Sequence, residues 1–461
     1  MESQVNPQAG SRRHFGSPQM TAWTPRWMDT PAELPVFERA DLHEVQGPVE
    51  LRDAAGGTLR VQCVRMIDGH VCLDWGRMPD TIPGRGAALA VLAHHLLERL
   101  ETPALWLEFS KGLQALALRK GNRFGSAFNE LGESLQLSGV RTHRIGLGCV
   151  VGTGDALKRF QEGGARLWIR EVVDARPLRS TILGRTVHAF HSVSQAPNTF
   201  QQPHALPFEV KFRFRLPRKT EAGGPLDRMT RDPGYLIRRG FRSTPLEPGR
   251  LLDFPVLELF TTHEPTPRAL EIEEALALAS SCGYSSQELQ KVLFLSAWVA
   301  GFLRQDFEKA QVDLVSGRLR WARDLDGAPL LISMPGTEEL ELQFAGTPLD
   351  LSYIEQFHAG TPWANAVKQA REWESGAEVE LPLEGGVLGA REWIRAHWKK
   401  RVPIGPRPLI PVARDLAAKL HPALVSAVTR APWFSEACSL ERWVTEVRSQ
   451  LNGESSNARS N

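Results

Sequence analysis

The chain has 461 residues, of which 42% are hydrophobic and 23% charged, with 55 basic against 53 acidic side chains. That apolar share excludes a disordered chain, and the near-neutral balance argues against nucleic acid as a partner and against a polybasic membrane anchor. Five cysteines, widely spaced and without a C-x-x-C pair, exclude a disulfide framework and read as reduced thiols of a cytoplasmic protein.

In chain order, residues 1–30 are polar and rich in proline and glycine, and are expected to form a disordered leader without a signal peptide's apolar core. Val49 to Val64 holds two alternating runs around Asp53-Ala-Ala-Gly-Gly57, a hairpin pattern. Apolar residues at helical spacing predict a helix over Ala87 to Leu100. Gly146-Leu-Gly-Cys-Val-Val-Gly152 is one residue too long for a dinucleotide fingerprint and is expected to be a loop. Strict alternation over Pro207 to Leu216 sets Phe208, Val210, Phe212 and Phe214 on one face, with Glu209, Lys211, Arg213 and Arg215 on the other. An arginine-rich run, Arg228 to Arg242, reads as a solvated loop.

Ser285-Ser-Gln-Glu288 is a capping box that opens a long helix running to about Ala310. The apolar stretch within it, Val292 to Leu303, spans about 12 residues, against roughly 20 for a membrane span. Val312 to Leu331 is expected to be a hairpin with turns at Ser316-Gly317 and Asp326-Gly327. Helices are predicted over Tyr353–Phe357, Pro362–Glu374, Arg391–Trp398, Pro411–Arg430 and Leu440–Leu451. The adjacent His94 and His95 project in different directions from one helix, a poor metal pair, and the stretch holding His188, His191 and His204 lacks cysteine partners for zinc. The segregation of strands and helices is α+β. The expected division is a leader (1–30), an N-terminal nucleotide-lobe-like domain (31–200), a central α+β domain (201–390), C-terminal helices (391–451) and a frayed tail (452–461).

Five ordered blocks carry a family resemblance. They are Leu73-Asp-Trp-Gly-Arg-Met-Pro-Asp-Thr-Ile-Pro-Gly-Arg-Gly-Ala-Ala-Leu89, Pro207-Phe-Glu-Val-Lys-Phe-Arg213, Pro255-Val-Leu-Glu-Leu-Phe-Thr-Thr262, Val315-Ser-Gly-Arg-Leu-Arg-Trp321 and Gly360-Thr-Pro-Trp363. Together they resemble phosphoribosylaminoimidazole-succinocarboxamide synthase (SAICAR synthetase). The resemblance implies a two-lobed fold, a small β-rich lobe beside a larger α+β lobe. It also implies an ATP-dependent ligase of purine biosynthesis that joins aspartate to carboxyaminoimidazole ribotide with magnesium. It further implies self-association, with another copy or an active paralogue as partner. The candidate anchors are Trp393, Trp398, Leu416, Leu420, Leu424, Val428, Trp433 and Phe434, and the competing reading is that most of them pack the C-terminal segment onto the larger lobe.

Position by position, the acidic set is exchanged. Where the family's strand carries Asp, Lys and Glu, this chain has Ser316, Arg318 and Arg320. Where its return strand carries Asp-Glu, this chain has Ser333 and Met334. Losing hard oxygen ligands and gaining an arginine leaves divalent magnesium without a favourable site. The expectation is a pseudoenzyme with no catalytic residues, no metal and no cofactor, keeping a phosphate- or nucleotide-binding or assembly role. Arg213, Arg318, Arg85 and Asp74 are the candidate phosphate- or substrate-binding residues, since guanidinium forks suit phosphate. The alternative is an active ligase using ATP and magnesium, in which the register of these blocks is shifted or Asp313, Asp324, Asp326, Glu338 or Glu339 substitute for the lost acids, although neither Asp324 with Asp326 nor Glu338 with Glu339 replaces them by a simple shift.

Overall fold

The computed structural model describes residues 36–38, 49–52, 58–61, 64–65, 70–73, 82, 84–106, 135, 138–151, 165–170, 172, 178–182, 185–189, 203–217, 225–232, 234–235, 247–262, 267, 269–281, 284–350, 358, 361–376, 402, 411–431, 433–434 and 437–457. The leader, Asp74, His191, Trp393 and Trp398 lie outside them, as do the helices expected over Tyr353–Phe357 and Arg391–Trp398.

The N-terminal part supplies β1 (Val36–Glu38), β2 (Val49–Arg52), β3 (Thr58–Val61), β4 (Val64–Arg65), β5 (His70–Leu73), helix α1 (Arg85–Glu101), β6 (Arg144–Val151), β7 (Ala165–Arg170), β8 (Leu178–Ile182) and β9 (Arg185–Ala189). Five of these form a sheet in the order β1-β6-β7-β5-β4, while β2 pairs β3 as the expected hairpin and β8 pairs β9. The glycine-rich stretch read as a loop is strand β6, antiparallel to β7. Gly146 and Gly148 pair in that ladder with Trp168 and Arg166.

The larger part contains β10 (His204–Arg215), α2 (Pro225–Arg231), β11 (Leu251–Thr261), β12 (Ala269–Leu270), α3 (Ile272–Ser281), α4 (Ser286–Lys309), β13 (Val312–Arg323), β14 (Pro329–Leu331), β15 (Leu340–Phe344), β16 (Thr347–Pro348), α5 (Pro362–Gly376), α6 (Pro411–Thr429) and α7 (Leu440–Asn457). Its seven-stranded sheet runs β12-β11-β10-β13-β15-β16, with β14 paired to β13, and the architecture is α+β. The run from Arg228 that read as a loop begins inside α2, where Arg228 meets Glu271 at 3.3 Å. The tail expected to fray from residue 452 continues α7 to Asn457.

Period-two alternation on β10 does what the sequence requires. Phe208, Val210, Phe212 and Phe214 are all buried against α4, whose Leu295, Trp298, Val299, Phe302 and Leu303 fill the other side. The capping box is present: Ser285 Oγ accepts from Glu288 N–H, and the Glu288 carboxylate accepts from Ser285 N–H. Inside this core Trp321 Nε1 donates to Ser296 Oγ at 2.9 Å, and that hydroxyl donates to Val292 O. Two buried polar groups are thereby satisfied without water.

One expected turn is absent. Ser316 and Gly317 lie within the continuous strand β13, and the reversal comes later, at Asp324 to Gly327. A Cβ on Gly317 would stand 2.5 Å from Phe212 Cζ and 2.6 Å from Leu340 Cδ2. The glycine is there because two neighbouring side chains close over it, not because the chain bends.

Helix α1 joins the two sheets. It packs on β6 and β7 on one side and on α6 on the other, and Arg99 holds the buried Asp306 of α4 through a two-point ion pair (Nη2 to Oδ1 2.9 Å). His143 N–H and Leu331 N–H bond across to Leu331 O and Arg141 O, tying the segment before β6 to β14. Of the C-terminal candidate anchors, Leu416, Leu420, Leu424, Trp433 and Phe434 are buried in this chain's own core, as the packing reading has it. Among the described residues, no helix is long and apolar enough to cross a membrane.

Candidate functional site

The polar face of the larger sheet opens into a cleft of about 340 Å³. It is lined by Lys211 and Arg213 of β10, Ser316 and Arg318 of β13, the 337–341 segment and Asp350. The strand register explains the assembly. On the β10–β13 ladder Glu209 faces Arg320, Lys211 faces Arg318 and Arg213 faces Ser316, while on β11 Glu258 faces Lys211.

Each cation is set by its neighbours. Arg213 Nε donates to Glu258 Oε2 at 3.4 Å, and the other oxygen of that buried carboxylate accepts from Tyr235 Oη at 3.1 Å. Lys211 Nζ lies 3.8 Å from Glu209 Oε1 and 3.9 Å from the centre of the Phe260 ring. Burial lowers its pKa; Glu209 and Glu258 counter this, while Arg213 and Arg318 add to it. Arg318 is exposed and its Nη2 reaches Glu338 O at 3.4 Å.

The acidic residues of the cleft are tied to different partners. Glu338 Oε1 accepts from Arg85 Nη2 at 2.6 Å, Glu341 Oε2 from Ser316 Oγ at 2.7 Å and Glu339 Oε2 from Met334 N–H at 2.8 Å. Burial pushes the Glu339 carboxyl up to about 7, against the pull of Arg318, the Met334 N–H, Arg320 and the Ser333 hydroxyl. Behind the rim, Thr337 Oγ1 pairs with Nε2 of the buried His421 of α6 at 2.9 Å. Burial, with Arg85 nearby, drops His421 to about 3, so its ring is neutral.

Of the sequence candidates, Arg213, Arg318 and Ser316 line one cleft, and Arg85 stands at its edge through Glu338. Ser333 is fully buried and accepts from Arg320 N–H at 2.6 Å, and Met334 is buried in the main core beside it. Asp324 and Asp326, weighed as substitute acids, sit at the far turn on Arg141. Asp313 pairs with Arg215 at 3.6 Å. His94 is buried and His95 partly buried on α1, and that burial lowers both pKa values, with Arg144 Nη1 3.3 Å from His94 Nδ1.

Residue-by-residue reading had no means of assigning Glu258, Tyr235, Glu341, Asp350 or His421 to this place. Only Lys211 carried a usable signal, because alternation sets it on the same face as Arg213. Glu338, Glu341 and Glu339 turn to arginine, hydroxyl and amide partners, with Arg318 beside them. Among the described residues, no three acidic, histidine or cysteine side chains are grouped to hold a metal ion.

No protein-family model matches the chain. It is 21% identical, over 379 residues, to a protein of Archaeoglobus fulgidus with the provisional name phosphoribosylaminoimidazole-succinocarboxamide synthase. The match spans 82% of this chain and 90% of that protein. Among solved structures, SAICAR synthase from Saccharomyces cerevisiae complexed with SAICAR is 12% identical at a TM-score of 0.36, covering 76% of this chain and 83% of its own. SAICAR synthetase from Pyrococcus horikoshii OT3 is 16% identical at a TM-score of 0.34, covering 70% and 100%.

Proposed function

We propose that this divergent SAICAR synthetase-like chain is an anion-binding relative of the purine-biosynthesis ligases. It takes a phosphate-bearing ligand, such as a ribotide or nucleotide, in the β10–β13 cleft without magnesium. It does not itself join aspartate to carboxyaminoimidazole ribotide. The observation that carries the reading is the pairing of Lys211 directly opposite Arg318, with Arg213 on the same face. Like charges set opposite on adjacent strands destabilise a sheet. Glu258 relieves this arrangement from the β11 side and Glu209 from within β10. An oxyanion in the cleft would meet all three cations and offset their repulsion.

The silent-enzyme part rests on the exchange of acids at Ser316, Arg320, Ser333 and Met334, since removing one acid–base group typically costs about 10²–10⁴ in rate. The competing reading is the active ligase, and what favours it is the presence of Glu338, Glu339, Glu341 and Asp350 in the same cleft. Two experiments separate them. Thermal shift against ribotides and nucleotides, at low and moderate salt and with and without magnesium, should show stabilisation that weakens with salt, ignores magnesium and is lost in Arg213→Ala. A melting point indifferent to every phosphate ligand ends the cleft reading. Rescue of a purine auxotroph lacking its own synthetase ends the silent-enzyme reading.

A further inference from the structure

Three of the four positions at which the acidic set is exchanged surround one side chain. Glu339 lies in the wall of the cleft with Met334 N–H on its Oε2 at 2.8 Å. The Ser333 hydroxyl bonds the same carboxyl, and Arg320 and Arg318 are the cations acting on it. The turn after β14 thus brings a single carboxyl to the place from which strand acids are missing. Lys211 and Arg213 of β10 line the same cleft, with Glu338, Glu341 and Asp350 along its rim.

An ionised carboxylate in that wall opposes the anion that the three cations would attract. A neutral carboxyl does the reverse, because its O–H donates a hydrogen bond to an oxyanion. We propose that Glu339 serves the cleft as a proton-bearing carboxyl, so that a multiply charged oxyanion, a phosphate monoester or its equivalent, enters together with one proton. This rests on the anion reading of the cleft. The balance is simple: one proton moves from solvent to a Glu339 oxygen, no covalent bond of the ligand changes, and the proton then lies between carboxyl and oxyanion.

Burial holds the group near neutrality, at about 7, so the uptake falls in an accessible pH range. The neighbouring imidazole does not compete, since His421 is held at about 3.

Sulfate is the probe, because it keeps its charge over the pH range used whereas phosphate itself gains a proton there. Titrated calorimetrically at constant ionic strength, sulfate should bind about tenfold more tightly at pH 6 than at pH 8, the ratio of protonated Glu339 at the two values. Glu339→Gln, neutral and still a donor, should bind at both pH values with nearly the low-pH affinity. Carboxyl-labelled glutamate NMR of the unmodified chain gives a ligand-free check: one resonance, missing in Glu339→Gln, should titrate near pH 7. Sulfate binding that is flat with pH, a glutamine variant that follows the pH dependence of the parent, or a Glu339 resonance titrating like an ordinary carboxylate would each overturn the proposal. Absence of sulfate binding at every pH, in parent and variant alike, would instead remove the anion reading beneath it.

Discussion

The hydroxyl of Tyr235 donates to the Glu258 carboxylate at 3.1 Å, inside the small second core formed by Leu216, Leu226, Leu252 and Val256. The same carboxylate takes Arg213, so the segment after α2 orients a cleft cation through Glu258. Tyr235→Phe should cost about 1–3 kcal/mol, the scale of a buried charged acceptor losing its donor. Urea unfolding measures the loss, and phosphate-ligand thermal shifts should weaken with it. Unchanged values in both would mean that the hydroxyl does not hold Glu258.

Gly317→Ala should destabilise the chain by at least about 1–3 kcal/mol, because its methyl group meets Phe212 and Leu340 well inside contact distance. Shortening the obstruction with Phe212→Leu in the same chain should recover part of the loss. Two independent, additive penalties would show that the ring is not what limits residue 317.

Acid should weaken the fold through histidines withdrawn wholly or partly from water. His421 is lowered to about 3, His95 to about 4, and His94 well below its ordinary 6.5, with burial the largest cause for each. Below pH 6.5 the unfolded imidazoles take up protons that the folded ones refuse, so stability falls as pH drops. The slope reaches about 1.4 kcal/mol per pH unit for each fully buried ring. His421→Gln should flatten the curve between pH 6 and pH 4, as read by chemical denaturation across pH. An unchanged slope would show that this ring titrates like a free one.

Glu339 acts in the opposite sense. Its folded value of about 7 lies above the ordinary glutamate value of 4.5. Its contribution is therefore fully present below pH 4.5 and is lost as pH rises through 7. Glu339→Gln should match the parent chain at pH 4 and exceed it at pH 8 by roughly 1–3 kcal/mol, the penalty of an ionised group kept from water. A difference that does not change with pH would place the carboxyl in solvent.

What was legible in the sequence is what short-range periodicity controls. The alternation of β10 and the capping box before α4 each depend on residues within one element, and each is found where the pattern puts it. Gly317 misled because a glycine inside a strand and a glycine at a turn look alike until the side chain above it is known. The same holds for the glycines of β6. Arg213 and Arg318 could be grouped because alternation and the ordered blocks set them on facing strands. Glu339 could not be grouped with them, since its neighbours Arg320 and Ser333 converge only after β13 and β14 have paired. His421 enters from a helix more than 80 residues beyond Thr337, and no spacing rule spans that gap.

The seating of α6 bears on how this chain can be divided. The helix covers α1, buries Leu416, Leu420 and Leu424 in the central core, and places His421 behind Thr337 at the cleft wall. α7 is clasped to it by Trp443 Nε1 on Leu416 O and reaches the sheet edge through Arg448, on Ala345 O and Thr347 Oγ1. These two helices are therefore part of the central core, not a detachable cassette. A gene fragment ending near residue 410 would encode a chain with an open seam along α1, and swapping in another protein's terminus would demand a matching partner for Thr337 as well as a matching apolar stripe.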